Sequence, residues 1–181
     1  MMDRQYWIRS NTASIVCAML LTLALIPACG TAQTSLGDII SQQGLDKAVG
    51  LWAATTDDGQ RVLLSYQWEL DRHIVMVHFR MDTLAYRSMI LYQAGENKVI
   101  EVGGDNRGTV VKGTWDVSGG KAVLKSQRTD PNGQTSSMGM TLSMRDDDSL
   151  TMAFYAIDGD ELVGDPWVTL QFKRQTMPAR M

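Results

Sequence analysis

RVLLSYQWELDRHIVMVHFRMDTLAYRSMILY, residues 61–92, is the stretch that decides the fold. Turn signals at 71–72 and 82–83 divide it into three runs of residues that favour strands. If each turn closes a hairpin, both registers gather aromatic and aliphatic side chains on the same face. A slip of one residue would send each set to the other face, so the agreement predicts an antiparallel meander. The two registers pair Trp68 with Val75, Tyr66 with Val77, Leu64 with Phe79, Phe79 with Tyr86 and Val75 with Ile90.

The same pattern continues on both sides of this stretch. Short runs rich in Val, Leu, Tyr, Thr and Trp alternate with turn clusters such as Asp-Asp-Gly at 57–59 and Pro-Asn-Gly at 131–133. This spacing predicts about ten strands joined as hairpins, with no room for crossover helices. An open meander would leave two exposed edges. We therefore predict an all-β fold, an antiparallel meander closed into a barrel. Apolar residues at helical spacing over 35–48, with Ser35 as N-cap, predict a short helix before the barrel.

The first 32 residues have the pattern of an export signal. Arg4 and Arg9 form a positive n-region, and residues 13–26 form an apolar run that is short for a membrane span. We therefore expect the domain to be exported, as a membrane-anchored lipoprotein, a periplasmic protein or a secreted one.

Two interpretations of the cleavage site stay open. Residues 25–29 resemble a bacterial lipobox, in which Cys29 would be lipidated and would become the first residue. Alternatively, the small-x-small pattern at 30–32 directs cleavage before Gln33. The expected divisions of the chain are a signal peptide at 1–32, a linker and short helix at 33–49, the barrel domain at 50–176 and a tail at 177–181.

Composition excludes several classes of function. The net charge is −3 and the basic residues are scattered, so we expect no nucleic-acid partner. No cysteine follows Cys29, which excludes disulfides and thiolate chemistry in the barrel domain. Contact with a membrane is expected only through a lipid on Cys29.

No catalytic or metal motif stands out. Ser65, His78 and Arg87 would form one cross-strand row, but no carboxylate is placed to orient the imidazole, so a solvated polar row is the better interpretation. His73 and His78 point to opposite faces of a strand and make a poor metal pair. The acidic turn at 158–161 lacks the full pattern of a calcium loop. We therefore expect no metal site and no enzyme.

The tripeptide Gly50-Leu51-Trp52 opens the first strand after the short helix. It resembles the Gly-x-Trp signature of lipocalins and the wider calycin superfamily. The resemblance implies that Trp52 plugs one end of the barrel and that a basic residue of the last strand packs across it. Lys173 and Arg174 are the candidates, and a cation over an indole is worth about 0.5–2 kcal/mol.

The mature chain more specifically resembles a bacterial family of calycin-like domains of unknown function. The resemblance rests on the opening GLW, on YQWELDRHIVMVHF at 66–79, on GTWDV at 113–117 and on DPNGQ at 130–134. It implies a barrel that takes small apolar ligands. The related nitrobindins bind haem through a late histidine, whereas His73 and His78 both lie early, so no cofactor is expected.

Two hypotheses for function follow. In the first, the barrel interior binds a small apolar or amphipathic molecule. In the second, the interior is packed and the domain is a non-enzymatic structural or interaction module of the cell envelope. The methionines of 138–152 suit either core packing or an adaptable cavity. An apolar outer patch of Ile74, Met76, Met89 and Leu91 would be covered by the helix or by another subunit. The expected lining of the ligand site is Tyr66, Trp68, Val77, Phe79, Tyr86 and Trp115.

Intact-mass analysis of the exported protein tests the signal prediction. We expect a chain that starts at Cys29 with added acyl mass, or one that starts at Gln33. Recovery of the full-length chain from the cell envelope would contradict both cleavage interpretations.

Overall fold

A computed structural model describes residues 34–118 and 120–176. The predicted signal peptide, Cys29 and the tail at 177–181 lie outside the described residues. Within the described part of the chain, no helix is long and apolar enough to cross a membrane.

Ten antiparallel strands form one closed barrel. Each strand pairs with its neighbours in sequence, and the first strand pairs with the last, which confirms the predicted closed meander. The elements in chain order are helix α1 (Leu36–Gln42), a 3-10 turn (Asp46–Ala48), β1 (Gly50–Thr55), β2 (Arg61–Glu69), β3 (Ile74–Met81), β4 (Leu84–Gln93), a 3-10 turn (Ala94–Glu96), β5 (Lys98–Asp105), β6 (Val110–Ser118), β7 (Lys121–Thr129), β8 (Thr135–Asp146), β9 (Ser149–Asp158) and β10 (Glu161–Gln175).

Both predicted hairpin registers are confirmed. Tyr66 pairs with Val77 across β2 and β3, and Phe79 pairs with Tyr86 across β3 and β4. The β2–β3 turn has no Asn-Gly. Instead three consecutive residues, Leu70, Asp71 and Arg72, adopt positive φ. The apolar pattern of the strands therefore sets the register even where the turn sequence does not favour a tight hairpin.

The helical segment is shorter than the pattern over 35–48 predicts. Ser35 caps α1 as expected, and its capping box with Asp38 is complete. The helix ends at Gln42 because Gly44 takes a left-handed φ of 71°, which stops the α-helical path. A separate 3-10 turn follows at Asp46–Ala48 before the first strand.

Helix α1 closes one end of the barrel. Leu36 is only 1% exposed and packs into the barrel core, with Ile39 and Ile40 partly buried beside it. One of the two alternatives for the outer patch of Ile74, Met76, Met89 and Leu91 was that the helix covers it. The helix packs into the barrel core instead, so this alternative is wrong. Met89 on that patch is 41% exposed.

Trp52 on β1 and Arg174 on β10 contact each other where the first and last strands pair, at the end of the barrel that α1 closes. The indole of Trp52 is fully buried, and its Nε1 donates to the carbonyl of Ala48 at 2.8 Å. The guanidinium of Arg174 lies 4.2 Å from the ring centroid. It donates to the carbonyls of Lys47 and of Val49, the latter at 3.2 Å.

The first position of the Gly-x-Trp tripeptide must be a glycine for a steric reason. Gly50 has φ of 146°, and a Cβ there would lie 2.5 Å from Nη1 of Arg174. Only a residue without a side chain lets the guanidinium reach the carbonyls at the start of β1. Of the two candidate bases, Arg174 takes the place over Trp52, whereas Lys173 donates to Ser149 Oγ at 2.6 Å.

Replacing Gly50 by Ala should lower the free energy of unfolding by roughly 2–3 kcal/mol, since the methyl group meets Arg174 and the backbone becomes strained. Gly59→Ala is the matched control: Gly59 also has a positive φ, of 84°, but nothing lies within 4 Å of its Cβ position. The free energy of unfolding of Gly59→Ala should fall by only about 1 kcal/mol. Urea denaturation measures both, and equal losses would show that the contact with Arg174 carries no cost.

Candidate functional site

Among residues 34–118 and 120–176, a single carboxyl group is buried in the barrel interior. Glu101 on β5 is 4% exposed. Its Oε1 accepts hydrogen bonds from the hydroxyls of Ser88 at 2.6 Å and of Tyr86 at 2.9 Å. Its Oε2 accepts from Nε1 of Trp115 at 2.8 Å. Because these donors come from β4 and β6, the two strands that flank β5, they fix the carboxyl in one position.

Burial determines the protonation of this group. Burial raises the pKa of the Glu101 carboxyl because the charged form loses its solvation, and the hydrogen bonds from Ser88, Tyr86 and Trp115 oppose this rise only in part. Burial also raises the pKa of the Tyr86 hydroxyl, and the nearby charge of Glu101 raises it further. A protonated carboxyl can itself donate a hydrogen bond to the hydroxyl of Ser88 or of Tyr86. The network can therefore be satisfied without a buried charge.

Glycines bring the partners of Glu101 within reach. A Cβ on Gly103 would lie 2.4 Å from the Ser88 Cβ and 2.4 Å from the Arg87 carbonyl oxygen. On β6, a Cβ on Gly113, which pairs with Glu101, would lie 2.7 Å from the Lys125 carbonyl oxygen. The strands around the carboxyl therefore approach more closely than side chains on the inner face would permit.

Sequence reasoning missed Glu101, although a signal was present. The meander predicted over 61–92 can be extended through the turn at 94–97 into β5. That extension pairs Glu101 with Ile90, as the structure shows, and so places a carboxyl on the apolar inner face. The alternation of β5 was the evidence that could have found it.

A small cavity lies between α1 and the barrel interior. Its volume is about 60 Å³, and its walls are apolar. Helix α1 and the segment that follows it provide one wall, and the inner faces of the strands provide the rest. The lining consists of Leu36, Ile39, Ile40, Leu45, Ala48, Val49, Tyr66, Val75, Ile90, Val99, Trp115, Val117, Ala122 and Leu142.

The structure separates the six residues expected to line a ligand site. Tyr66 and Trp115 line the cavity. Tyr86 instead bonds Glu101. The other three lie elsewhere on the inner face: Val77 is buried in the core, Phe79 packs against it, and Trp68 lies under the guanidinium of Arg72 at 5.1 Å.

Tyr66 connects the cavity to the carboxyl network. Its side chain is 5% exposed. Burial raises the pKa of its hydroxyl, and the charges of Glu101 and Tyr86 raise it further. No hydrogen bond joins this hydroxyl to another described residue, so it is a polar group at the cavity wall with unused bonding capacity.

The other groups of polar residues considered in the sequence analysis do not belong to this site. Ser65, His78 and Arg87 are cross-strand neighbours, as their register predicts. The Ser65 hydroxyl is buried without a hydrogen-bond partner in the described structure, so His78 does not activate it. Over residues 34–118 and 120–176, no group of three or more His, Cys, Asp or Glu side chains is placed to hold a metal ion.

The fold and the interior site define a closed antiparallel β-barrel with an N-terminal helix at one end and an enclosed polar network. This architecture is consistent with a calycin-like barrel. No protein-family model matches the sequence, and no curated protein matches it.

Exchanging Glu101 for Gln should flatten the dependence of stability on pH. The pKa of Glu101 is higher in the folded state than in the unfolded state, where it is about 4.3. The contribution of Glu101 to the free energy of unfolding is therefore complete below the unfolded-state pKa, and it is lost as the pH rises through the folded-state pKa. The amide keeps the shape of the carboxyl but does not titrate. Urea denaturation from about pH 4 to pH 8 measures the slope. Exposed Glu161→Gln is the control, and an unchanged slope in Glu101→Gln would contradict the assignment.

Proposed function

We propose that this protein is an exported, calycin-like barrel that binds a small, mostly apolar molecule in the cavity between α1 and the strands. The observation that carries the proposal is the cavity itself, about 60 Å³ in volume, with an apolar lining that includes the rings of Tyr66 and Trp115. Concave, largely apolar sites with few polar groups are typical of small-molecule binding. The barrel acts as a binder and performs no chemistry.

The volume of the cavity restricts the ligand. An engineered protein cavity of about 150 Å³ accommodates benzene. A cavity of about 60 Å³ therefore holds only a few heavy atoms while α1 is closed. A ring such as phenol can enter only if α1 moves outward, and a fatty acid would need a still larger rearrangement. The Tyr66 hydroxyl offers the ligand one hydrogen bond. We therefore favour a compact molecule with an apolar body and one polar group, such as a small alcohol or phenol.

A second candidate function is an interaction module of the cell envelope. The observation that favours it is the apolar outer face, where Ile74 pairs with Leu91 and Met76 pairs with Met89. Met89 is exposed, and α1 lies elsewhere. Exposed apolar patches mark protein contacts more often than single exposed residues do. This candidate requires no interior ligand, so binding experiments separate the two.

Phenol binding tests the proposed function. Native mass spectrometry of the exported protein should show a co-purified small molecule. Phenol should raise the thermal midpoint of the protein from which that molecule has been removed, since a ligand at 100 times its Kd stabilises the folded state by about 2.7 kcal/mol. Ala122→Leu extends a side chain into the cavity and should abolish this effect. Ala54→Leu is the control, because Ala54 is buried but does not line the cavity.

Two results would contradict the proposal. One is an equal stabilisation by phenol in the wild type and in Ala122→Leu, which would place the binding elsewhere. The other is a bare protein mass together with no response to phenol, and that result would leave the interaction module as the function to pursue.

A further inference from the structure

We propose that α1 is a lid over the cavity and that Arg72 is the residue that holds it shut, so that ligands enter through the helix end of the barrel. This inference rests on the proposed function for its biological purpose. The opening of the lid can nevertheless be measured without any ligand.

Helix α1 forms one wall of the cavity together with Leu45, Ala48 and Val49 of the segment that follows it. Leu36, Ile39 and Ile40 contact the cavity from the helix side, opposite Tyr66 and Trp115 on the strands. Movement of the helix would open the cavity directly to solvent. The strands are held by continuous ladders, so the helix is the wall that can move at the lowest cost.

The polar attachment of α1 converges on Arg72 in the β2–β3 turn. The backbone N–H of Gly37 donates to the Arg72 carbonyl at 3.0 Å. The Arg72 guanidinium donates to the Ser41 hydroxyl at 2.8 Å and to the Asp46 carboxylate at 2.6 Å. Stacking on Trp68 holds the guanidinium in position. Arg72 thus binds α1 near its start through Gly37 and near its end through Ser41, and its guanidinium also binds Asp46 in the 3-10 turn that follows.

The chain beyond α1 has a separate attachment. Arg174 donates to the carbonyls of Lys47 and Val49, and Lys47 pairs with Asp147 at 2.6 Å. Gly44 lies between α1 and the residues that Arg174 binds, and its left-handed φ makes it a pivot for the helix once the bond from Arg72 to Asp46 has broken. A helix of seven residues has little stability of its own, so loss of its contacts with the barrel would release it.

The opposite route into the cavity is blocked. Along β5, Val99 lines the cavity, and Glu101 is the next inward residue away from α1. Glu101 and its hydrogen-bond partners Tyr86, Ser88 and Trp115 occupy the interior on that side. A molecule that came from the other end would have to break this network, whereas release of α1 leaves the network intact.

Thiol labelling of Ala122→Cys tests the lid directly. A small thiol reagent reaches residue 122 only when the cavity opens, and peptide mass mapping assigns the label to that residue. Adding Arg72→Met, which keeps an apolar side chain against Trp68, should accelerate labelling by about tenfold, because charged hydrogen bonds that favour the closed state are lost. Asp46→Asn keeps an acceptor oxygen but removes the negative charge opposite Arg72, so it should give a smaller acceleration.

Two controls separate lid opening from unfolding. Lys98→Met removes a similarly exposed ion pair, with Glu96, that does not touch α1, and it should leave labelling at residue 122 unchanged. Ala54→Cys reports on a buried position that does not line the cavity, so Arg72→Met should not accelerate its labelling.

The outcomes distinguish the lid from the proposed function. Acceleration at residue 122 but not at residue 54 supports the lid, and faster phenol exchange in Arg72→Met shows that the lid controls ligand access. Equal acceleration at both positions, or none at residue 122, would overturn the lid whether or not phenol binds. Acceleration at residue 122 in a protein that never binds phenol would support the lid and reject the proposed function.

Discussion

The contact between Arg174 and Trp52 is the interaction on which the rest of the structure depends. Closure of a ten-stranded meander requires the last strand to return to the first, and these two residues are partners across the β10–β1 pair. The same guanidinium bonds the carbonyl of Lys47 within the 3-10 turn and that of Val49 directly after it. The contact therefore joins barrel closure to the placement of the N-terminal segment, and it depends on Gly50 for space.

The interior that this closure creates has two environments. Next to α1 is an apolar cavity lined by aliphatic side chains and two aromatic rings. Farther along β5 is a carboxyl whose hydrogen bonds are satisfied by hydroxyls and an indole. A fully satisfied network in a medium of low dielectric constant is rigid, while an apolar cavity wall without hydrogen bonds across it can move. This difference explains why we place ligand access at the helix end.

Arginine has two different roles at that helix end. The side chain of Arg174 is only 29% exposed, and it bonds main-chain carbonyls directly before β1 and in the β8–β9 turn. Arg72 is about half exposed, with 48% of its side chain accessible, and it bonds Ser41 on α1 and Asp46 in the 3-10 turn that follows. Exposed charged contacts contribute little to stability, so the bonds of Arg72 can break and re-form at low cost.

The sequence by itself determined the closed antiparallel barrel, the two hairpin registers over 61–92 and the N-cap of α1 at Ser35. These features depend on local alternation and capping, which neighbouring residues specify. The tertiary structure decided what depends on distance between strands. It placed Arg174 instead of Lys173 over Trp52, shortened the helix at Gly44 and gathered donors from the two neighbouring strands around Glu101. Period-2 alternation shows which side chains point inward, but only the closed barrel determines which of them meet and where space remains.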